Sequence, residues 1–253
     1  MAQPLIGPSE IIRLSWQNFR HHLRQYSEFM LIILLIGALS TAYGISIMTA
    51  VKEVTLTLVL MSGLLSIPIS LVYSVVQLAF IDFTAKTLQG KPAKVSESLL
   101  IGAHKLIPFI WVSLLVGVIV FGGTLLLIVP GIIFSLWYLF ATMQLVVDGT
   151  RGYAALKASR SLVIGRWWGV FWRVAVPTAF YYLVIQFVIW VIFLILGSFA
   201  GNPRLFLAPL PAGGGWATGL IRAIVPIVVY SFGLALTVAA NLVLWLNLKR
   251  TRS

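Results

Sequence analysis

Long apolar runs without a charged residue alternate with short charged segments along this chain of 253 residues. A bilayer core about 30 Å thick is crossed by roughly 20 helical residues, because each residue of an α-helix adds about 1.5 Å. Four of the five runs fit one membrane-spanning helix each, and the longest run, 106–147, fits two. The pattern predicts an all-α membrane protein with one domain, 1–253, and six spans at about 29–51, 54–81, 106–128, 130–147, 174–200 and 223–246.

The longest run divides near its middle at Val129, Pro130 and Gly131. Proline is tolerated in the first turn of a helix, and glycine allows a tight turn. The segments 106–128 and 130–147 are therefore predicted to be two antiparallel helices with a very short connection.

Composition supports the membrane assignment. Hydrophobic residues make up 60% of the chain and charged residues only 9%, which leaves too little polar surface to cover a water-soluble protein of this size. The first apolar run begins at Phe29, after an amphipathic stretch, and is too long for a typical cleaved signal peptide, so we expect it to remain as the first span. The absence of cysteine excludes disulfides and cysteine-bound metals.

Basic residues are distributed unevenly between the two sides of the predicted bundle. Of the 18 Lys and Arg residues, only Lys52, Arg204 and Arg222 fall on one side, and the other 15 fall on the opposite side. Such an excess marks the cytoplasmic side of membrane proteins, so both termini are predicted to be cytoplasmic. The charge is spread over four short juxtamembrane segments, which gives no reason to expect a nucleic-acid partner.

An amphipathic stretch, 8–24, precedes the first span. Its residues form two neighbouring stripes at helical spacing: Ile12, Trp16, Phe19 and Leu23 on one, and Arg13, Gln17, Arg20 and Arg24 on the other. This arrangement is typical of a helix at the membrane interface, with aromatic side chains among the acyl chains and guanidinium groups at anionic lipid phosphates. The sequence therefore predicts headgroup contacts by the three arginines and an interfacial anchor at Trp16.

Two further cytoplasmic segments are candidates for interfacial helices. The segment 96–104 leads into Lys105, and the segment 152–165 leads into a belt of basic and aromatic residues, 166–173, at the start of the fifth span. Trp and Tyr are enriched at membrane interfaces. The predicted anchors are Trp167, Trp168 and Trp172, and the predicted headgroup contacts are Lys157, Arg160, Arg166 and Arg173.

The ends of the even-numbered spans resemble one another. A motif of Gln-Leu, two or three apolar residues and Asp-x-Thr begins at Gln77 and again at Gln144, and a looser version begins at Asn241. With the three interfacial segments, these motifs suggest three copies of an interfacial helix followed by two spans, without a constant period. Gln77, Gln144 and Asn241 are predicted polar groups inside the bundle, and hydrogen bonding between helices is favoured over a ligand path.

Several motifs follow the proline of the longest run: PGIIFSLWYLFA from Pro130, VVDG from Val146, ALKAS from Ala155 and GRWWGVF from Gly165. Over about 101–173 the chain resembles the glycerophosphoryl diester phosphodiesterase membrane-domain family and related polytopic proteins of bacteria and archaea. The resemblance implies a multi-pass protein of a prokaryotic cytoplasmic membrane and carries no reaction with it. The family is named after members that join such a region to a catalytic domain, which has no counterpart in these 253 residues.

Catalytic chemistry finds little support in the residue types. Phosphodiester hydrolysis needs histidines and metal-binding carboxylates at one site, whereas the three His and six acidic residues here form no cluster in the sequence. Nucleophile, zinc-protease and phosphate-loop motifs are absent from the sequence. We therefore expect no enzyme activity, metal or cofactor, and we interpret Asp82 and Asp148 as helix-end residues that pair with Lys86 or Arg151.

Two functional hypotheses remain. The sequence favours a non-enzymatic module that engages anionic lipid, or that serves as a scaffold or accessory to a protein partner or to a second copy of itself. The alternative is a transporter or channel component for a small or lipidic solute, although ionisable residues only at span ends and in loops give no support to ion coupling. A cavity across the middle of the bundle favours transport, and a packed apolar middle favours the scaffold.

Overall fold

A computed structural model describes residues 5–50, 55–207 and 216–251, and this part of the chain is helical without a β-strand. Its helices are α1 (Pro8–His21), α2 (Leu23–Ala50), α3 (Leu56–Leu88), α4 (Val95–Leu126), α5 (Ile128–Tyr138), α6 (Ala141–Val147), α7 (Gly152–Val163), α8 (Trp167–Phe199) and α9 (Trp216–Arg250). The predicted all-α fold is confirmed: α2, α3, α4, α8, α9 and the pair α5 and α6 supply six spans long and apolar enough to cross a membrane. Lys52 and Glu53, which separate the first two predicted spans, lie outside the described residues.

Most spans are longer than the apolar runs that predict them. α2 begins at Leu23, α4 begins at Val95 and α9 continues to Arg250. A helix satisfies its own backbone hydrogen bonds, so it can continue through polar residues that flank the apolar run. Residues 96–104, predicted to form an interfacial helix, are the first turns of α4 and are continuous with the span, and their location at the membrane interface stays a prediction.

The predicted helical hairpin in the longest run is confirmed. Leu127 separates α4 from α5 and has an extended backbone, with φ −161° and ψ 146°. Gly131 of α5 lies so close to Thr124 of α4 that an added Cβ would clash with it. The one-residue connection and this glycine contact hold the two helices side by side.

The fourth span is interrupted, whereas the sequence predicts one helix at 130–147. α5 and α6 are separated by Leu139 and Phe140. The buried hydroxyl of Ser159 on α7 donates to the Trp137 carbonyl at 2.7 Å and accepts from the Phe140 amide at 3.1 Å. These bonds satisfy backbone groups that the interruption would otherwise leave unpaired inside the protein.

α1 packs into the bundle, against α8 and α9. Its buried face comprises Ile11, Ser15, Asn18 and Phe19. The hydroxyl oxygen of Ser15 lies 2.6 Å from that of Tyr181 on α8. The predicted acyl-chain stripe is therefore wrong for Phe19, which is 3% exposed, whereas Trp16 is 46% exposed.

α9 is central to the bundle and packs against α1, α2, α3 and α8. α4, α5, α6 and α7 pack on one another and join the rest of the bundle mainly through α3. The Ile6 amide donates to the Asn247 side-chain oxygen at 3.3 Å, so the first and last described segments meet at one end of the bundle. The fully buried aromatic residues Tyr26, Phe83 and Trp245 lie in the helical turns nearest this end.

Candidate functional site

A cavity of about 880 Å³ lies between α2, α3, α8 and α9. Its lining residues fall within 33–43, 66–74, 178–185 and 227–237, which are middle portions of the four helices. Eleven of the 19 lining residues are Ser, Thr or Tyr, and none of these described residues is Asp, Glu, Lys, Arg or His. The middle of the bundle therefore surrounds an open space whose lining is uncharged, with hydroxyl groups set among a larger apolar surface.

Three serines of α3 form one wall of the cavity. Ser66, Ser70 and Ser74 are spaced by four residues, which places them on one helix face. Their hydroxyls donate to the carbonyls of Gly63 at 2.7 Å, of Ser66 at 2.8 Å and of Ser70 at 2.8 Å. Because each hydroxyl proton is used within the helix, the oxygen lone pairs remain to accept hydrogen bonds from a molecule in the cavity.

Hydroxyls of the opposite wall also donate within the protein. Ser231 donates to the Val228 carbonyl at 2.6 Å, and the Tyr230 hydroxyl donates to the side-chain oxygen of Gln186 at 2.6 Å. The hydroxyl oxygens of Ser66, Ser70, Ser74, Tyr230 and Ser231 are therefore left to act as hydrogen-bond acceptors. A molecule with hydroxyl or amide donors would satisfy them best.

Two glycines bring α9 close to its neighbours beside the cavity. An added Cβ at Gly37 of α2 would lie 2.7 Å from Ile227 of α9, and Gly233 of α9 lies directly against Ile185 of α8. α8 packs along α9 without comparable packing against α2 or α3. The cavity thus has a tight α9 side, while Tyr182 on its α8 side is 55% exposed.

A separate group of polar residues lies at the end of the bundle where the described ends meet. Asp148, just after α6, accepts two hydrogen bonds from the Lys249 ammonium of α9 at 2.7 and 2.8 Å. In the orientation that satisfies both neighbours, the Gln144 amide donates to Asp148 at 2.6 Å and accepts from the Trp245 indole at 3.3 Å. The ion-pair partner of Asp148 is thus Lys249, and the expected pair with Arg151 is wrong.

Asp82 forms a similar group at the end of α3. It pairs with Lys86 at 2.8 Å, as predicted, and accepts from the buried hydroxyl of Ser98 on α4 at 2.8 Å. Lys105 of α4 donates to the carbonyls of Leu145 and Val146 at 2.8 and 3.1 Å. A cation is favourable at the C-terminal end of a helix, where carbonyl groups lack a partner within the helix. The contacts of Lys105 therefore stabilise the end of α6 and hold it against α4.

Two arginines with predicted headgroup contacts bind the protein backbone. Arg173 donates to the carbonyls of Ile6 and Leu5 at 2.7 and 3.2 Å. Arg166 donates to the Leu248 carbonyl at 3.3 Å. The two guanidinium groups therefore hold the N-terminal segment and the end of α9 against the start of α8.

The remaining basic residues of the predicted interface are exposed: Arg13, Arg20, Arg24, Lys157 and Arg160. Arg13 pairs with Glu10, and this hydrogen bond lowers the pKa of the Glu10 carboxyl. Trp16, Trp168 and Trp172 are also exposed, whereas Trp167 is partly buried and stacks on Phe171 with 5.3 Å between ring centroids. Lipid contact by this surface stays a prediction.

The three predicted polar residues of the bundle, Gln77, Gln144 and Asn241, form no hydrogen bond with one another in the described part of the chain; Gln144 bonds to Asp148 and Trp245. The hydroxyl-lined cavity was missed by reasoning from charged and amide side chains. Its sequence signal is the four-residue spacing of Ser66, Ser70 and Ser74 within an apolar run.

Among the described residues, no group of three or more His, Asp or Glu side chains could hold a metal ion. The resemblance to the glycerophosphoryl diester phosphodiesterase membrane-domain family stays a prediction from its motifs. Comparison of the chain with protein-family models, curated proteins and solved structures finds no match.

Proposed function

We propose that the protein is a non-enzymatic membrane component that takes an uncharged solute, small or lipidic, into the middle of its helix bundle. This is the role of a transporter or channel component. The cavity of about 880 Å³ carries the proposal, because pockets that hold small molecules have volumes of about 300–1,000 Å³. A packed apolar middle would favour the scaffold hypothesis instead.

The lining of the cavity supports an uncharged solute. Burying an ion away from water costs far more than burying a hydroxyl group, unless a charged partner compensates. The described lining residues supply hydroxyl and phenol oxygens and no such partner. Each hydroxyl of an uncharged solute can instead replace its lost water contacts with hydrogen bonds to serine oxygens.

Filling the cavity tests the proposal. Ser74→Phe places a ring in the cavity wall, and Ser113→Phe makes the same change at an exposed position of α4. The purified variants are compared with the native protein in proteoliposomes, with radiolabelled glycerol and a fluorescent diacylglycerol as probes. The phenyl ring occupies part of the cavity and replaces the Ser74 hydroxyl, so Ser74→Phe should reduce entry of at least one probe severalfold.

Size-exclusion chromatography and circular dichroism first establish that both variants fold. Ser113→Phe should retain native entry of the probe. If neither probe enters with the native protein faster than into protein-free liposomes, or if Ser74→Phe and Ser113→Phe behave alike, the cavity is not a solute site and the scaffold hypothesis is preferred.

A further inference from the structure

An apolar groove continues from the cavity along α8. Thr178 and Tyr182 line both the cavity and a groove of about 500 Å³ between α5 and α8. Ile132 of α5 lines this groove and also an apolar hollow of about 650 Å³ beside Trp167 and Trp168. The three spaces therefore follow one another from the first turn of α8 to its middle.

The length of this series suits a membrane lipid. From Trp168 to Ile185, α8 rises about 25 Å at 1.5 Å per residue. One leaflet contributes about half of a hydrocarbon core that is about 30 Å thick. The three spaces thus reach from the aromatic belt at the start of α8 into the middle of the bundle, a length that holds an acyl chain as long as one leaflet and a small head group beyond it.

The lining of the groove changes along this length. The hollow beside Trp167 and Trp168 is lined by aliphatic, aromatic and glycine residues. The groove between α5 and α8 adds few polar groups, among them Ser135, whose hydroxyl donates to the Ile132 carbonyl at 2.8 Å. The cavity beyond Thr178 is rich in hydroxyls. A molecule that follows the groove therefore has a hydrocarbon chain at one end and a polar group at the other.

The polar end of that molecule is further defined by hydrogen bonding. Ser66, Ser70 and Ser74 offer acceptor oxygens, because their protons are bound to backbone carbonyls. A hydroxyl head group can donate to these oxygens. A phosphodiester would bring a negative charge and only further acceptors, and no Lys or Arg lines the cavity within the described residues.

We propose that the groove and cavity form one site for an uncharged acylglycerol, with an acyl chain along α8 and the end that carries a free hydroxyl in the cavity. This inference rests on the proposed function and specifies its solute. An acylglycerol enters laterally between α5 and α8 from the surrounding bilayer, without passing through water.

Photo-crosslinking in proteoliposomes tests the site. The probe is a diacylglycerol with a diazirine on one acyl chain, and the labelled residues are mapped by peptide mass spectrometry. Labelling should concentrate in 132–139 and 171–182 and should be displaced by unlabelled diacylglycerol. Phosphatidylglycerol with the same chains should not displace it. Equal displacement by phosphatidylglycerol would overturn the assignment of an uncharged head group.

Two tryptophan substitutions test whether the groove holds the acyl chain. Ala175→Trp fills the groove between α5 and α8, and Ala38→Trp makes the same change at an exposed position of α2. Ala175→Trp should reduce the displaceable labelling severalfold, whereas Ala38→Trp should leave it unchanged. Labelling that survives in a folded Ala175→Trp variant would overturn the groove as the chain site.

The two proposals fail in different ways. Glycerol entry that is sensitive to Ser74→Phe, together with no displaceable diacylglycerol labelling, would refute the acylglycerol inference and retain the cavity as a solute site. If the native protein shows neither probe entry above protein-free liposomes nor displaceable diacylglycerol labelling, both proposals are refuted.

Discussion

Asp148 and Lys249 form an ion pair between the end of α6 and the end of α9, at nitrogen–oxygen distances of 2.7 and 2.8 Å. The two residues are separated by 101 positions in the sequence, so the pair connects the helices α4 to α7 with the central helix of the bundle. The side chains are 25% and 41% exposed. Solvent therefore screens the pair only partly, and its net contribution is modest.

Substitution of either partner should lower stability slightly. We expect Asp148→Asn and Lys249→Gln each to reduce the free energy of unfolding by about 1 kcal/mol, the upper range for a partly exposed pair. The double variant should lose little more than either single variant, because both remove the same interaction. Thermal unfolding in detergent measures the three values. Full additivity would show that the pair contributes no coupling energy.

Gln144 and Gln77 occupy matching positions in the repeated motif but have different surroundings. Gln144 is buried and bonds to Asp148 and Trp245. Gln144→Leu should therefore lower stability in detergent by about 1–2 kcal/mol. Gln77→Leu is the matched control and should be nearly neutral. Equal losses in the two variants would indicate that the hydrogen bonds of Gln144 are not the cause.

The interruption between α5 and α6 depends on Ser159 of α7. Ser159→Ala removes the bonds to the Trp137 carbonyl and the Phe140 amide and leaves both groups without this partner. We expect a loss of about 1–3 kcal/mol in stability and faster hydrogen exchange at Phe140. Ser161→Ala is the control, because within the described residues its hydroxyl bonds to the Ala158 carbonyl of its own helix and to no other helix. Unchanged exchange at Phe140 would contradict this role.

The six spans could be predicted from the sequence because the cost of leaving backbone groups unpaired in hydrocarbon allows only long apolar helices there. The interruption at Phe140 could not, since it depends on a hydroxyl 19 positions away that reaches the site only after α7 has packed. The burial of Phe19 depends in the same way on α1 packing against α8 and α9. The spacing of apolar residues predicts which side chains share one face of a helix. It does not predict whether that face packs against lipid or against another helix.

The candidate site was harder to predict than the spans. Charged and amide residues draw attention in an apolar sequence, yet Gln144 and Asp148 bind partners at the end of the bundle. Serines such as Ser70 are common in membrane helices and carry no charge. Four spans must be assembled before their hydroxyls are seen to share one cavity.

Arg20 and Arg24 test the predicted contact with anionic lipid. Both are exposed, and each basic group near an anionic surface contributes about 1 kcal/mol. Arg20→Gln with Arg24→Gln should therefore reduce the phosphatidylglycerol retained in native mass spectrometry, and the native level should fall with salt. Arg204→Gln, on the opposite predicted side, should have little effect. Equal retention in all three proteins would remove these arginines from the predicted lipid contacts.

The predicted orientation can be tested with single cysteines, because the chain contains none of its own. Lys91 and Lys157 are exposed on the side with 15 of the 18 basic residues, and Asn202 is exposed in the loop after α8 on the other side. Basic loops are retained in the cytoplasm, so a thiol reagent that cannot cross membranes should label only Asn202→Cys in intact cells. All three variants should be labelled once the cells are permeabilised, which shows that each thiol is accessible. Labelling of Lys157→Cys in intact cells would place both ends of the chain outside and overturn the orientation.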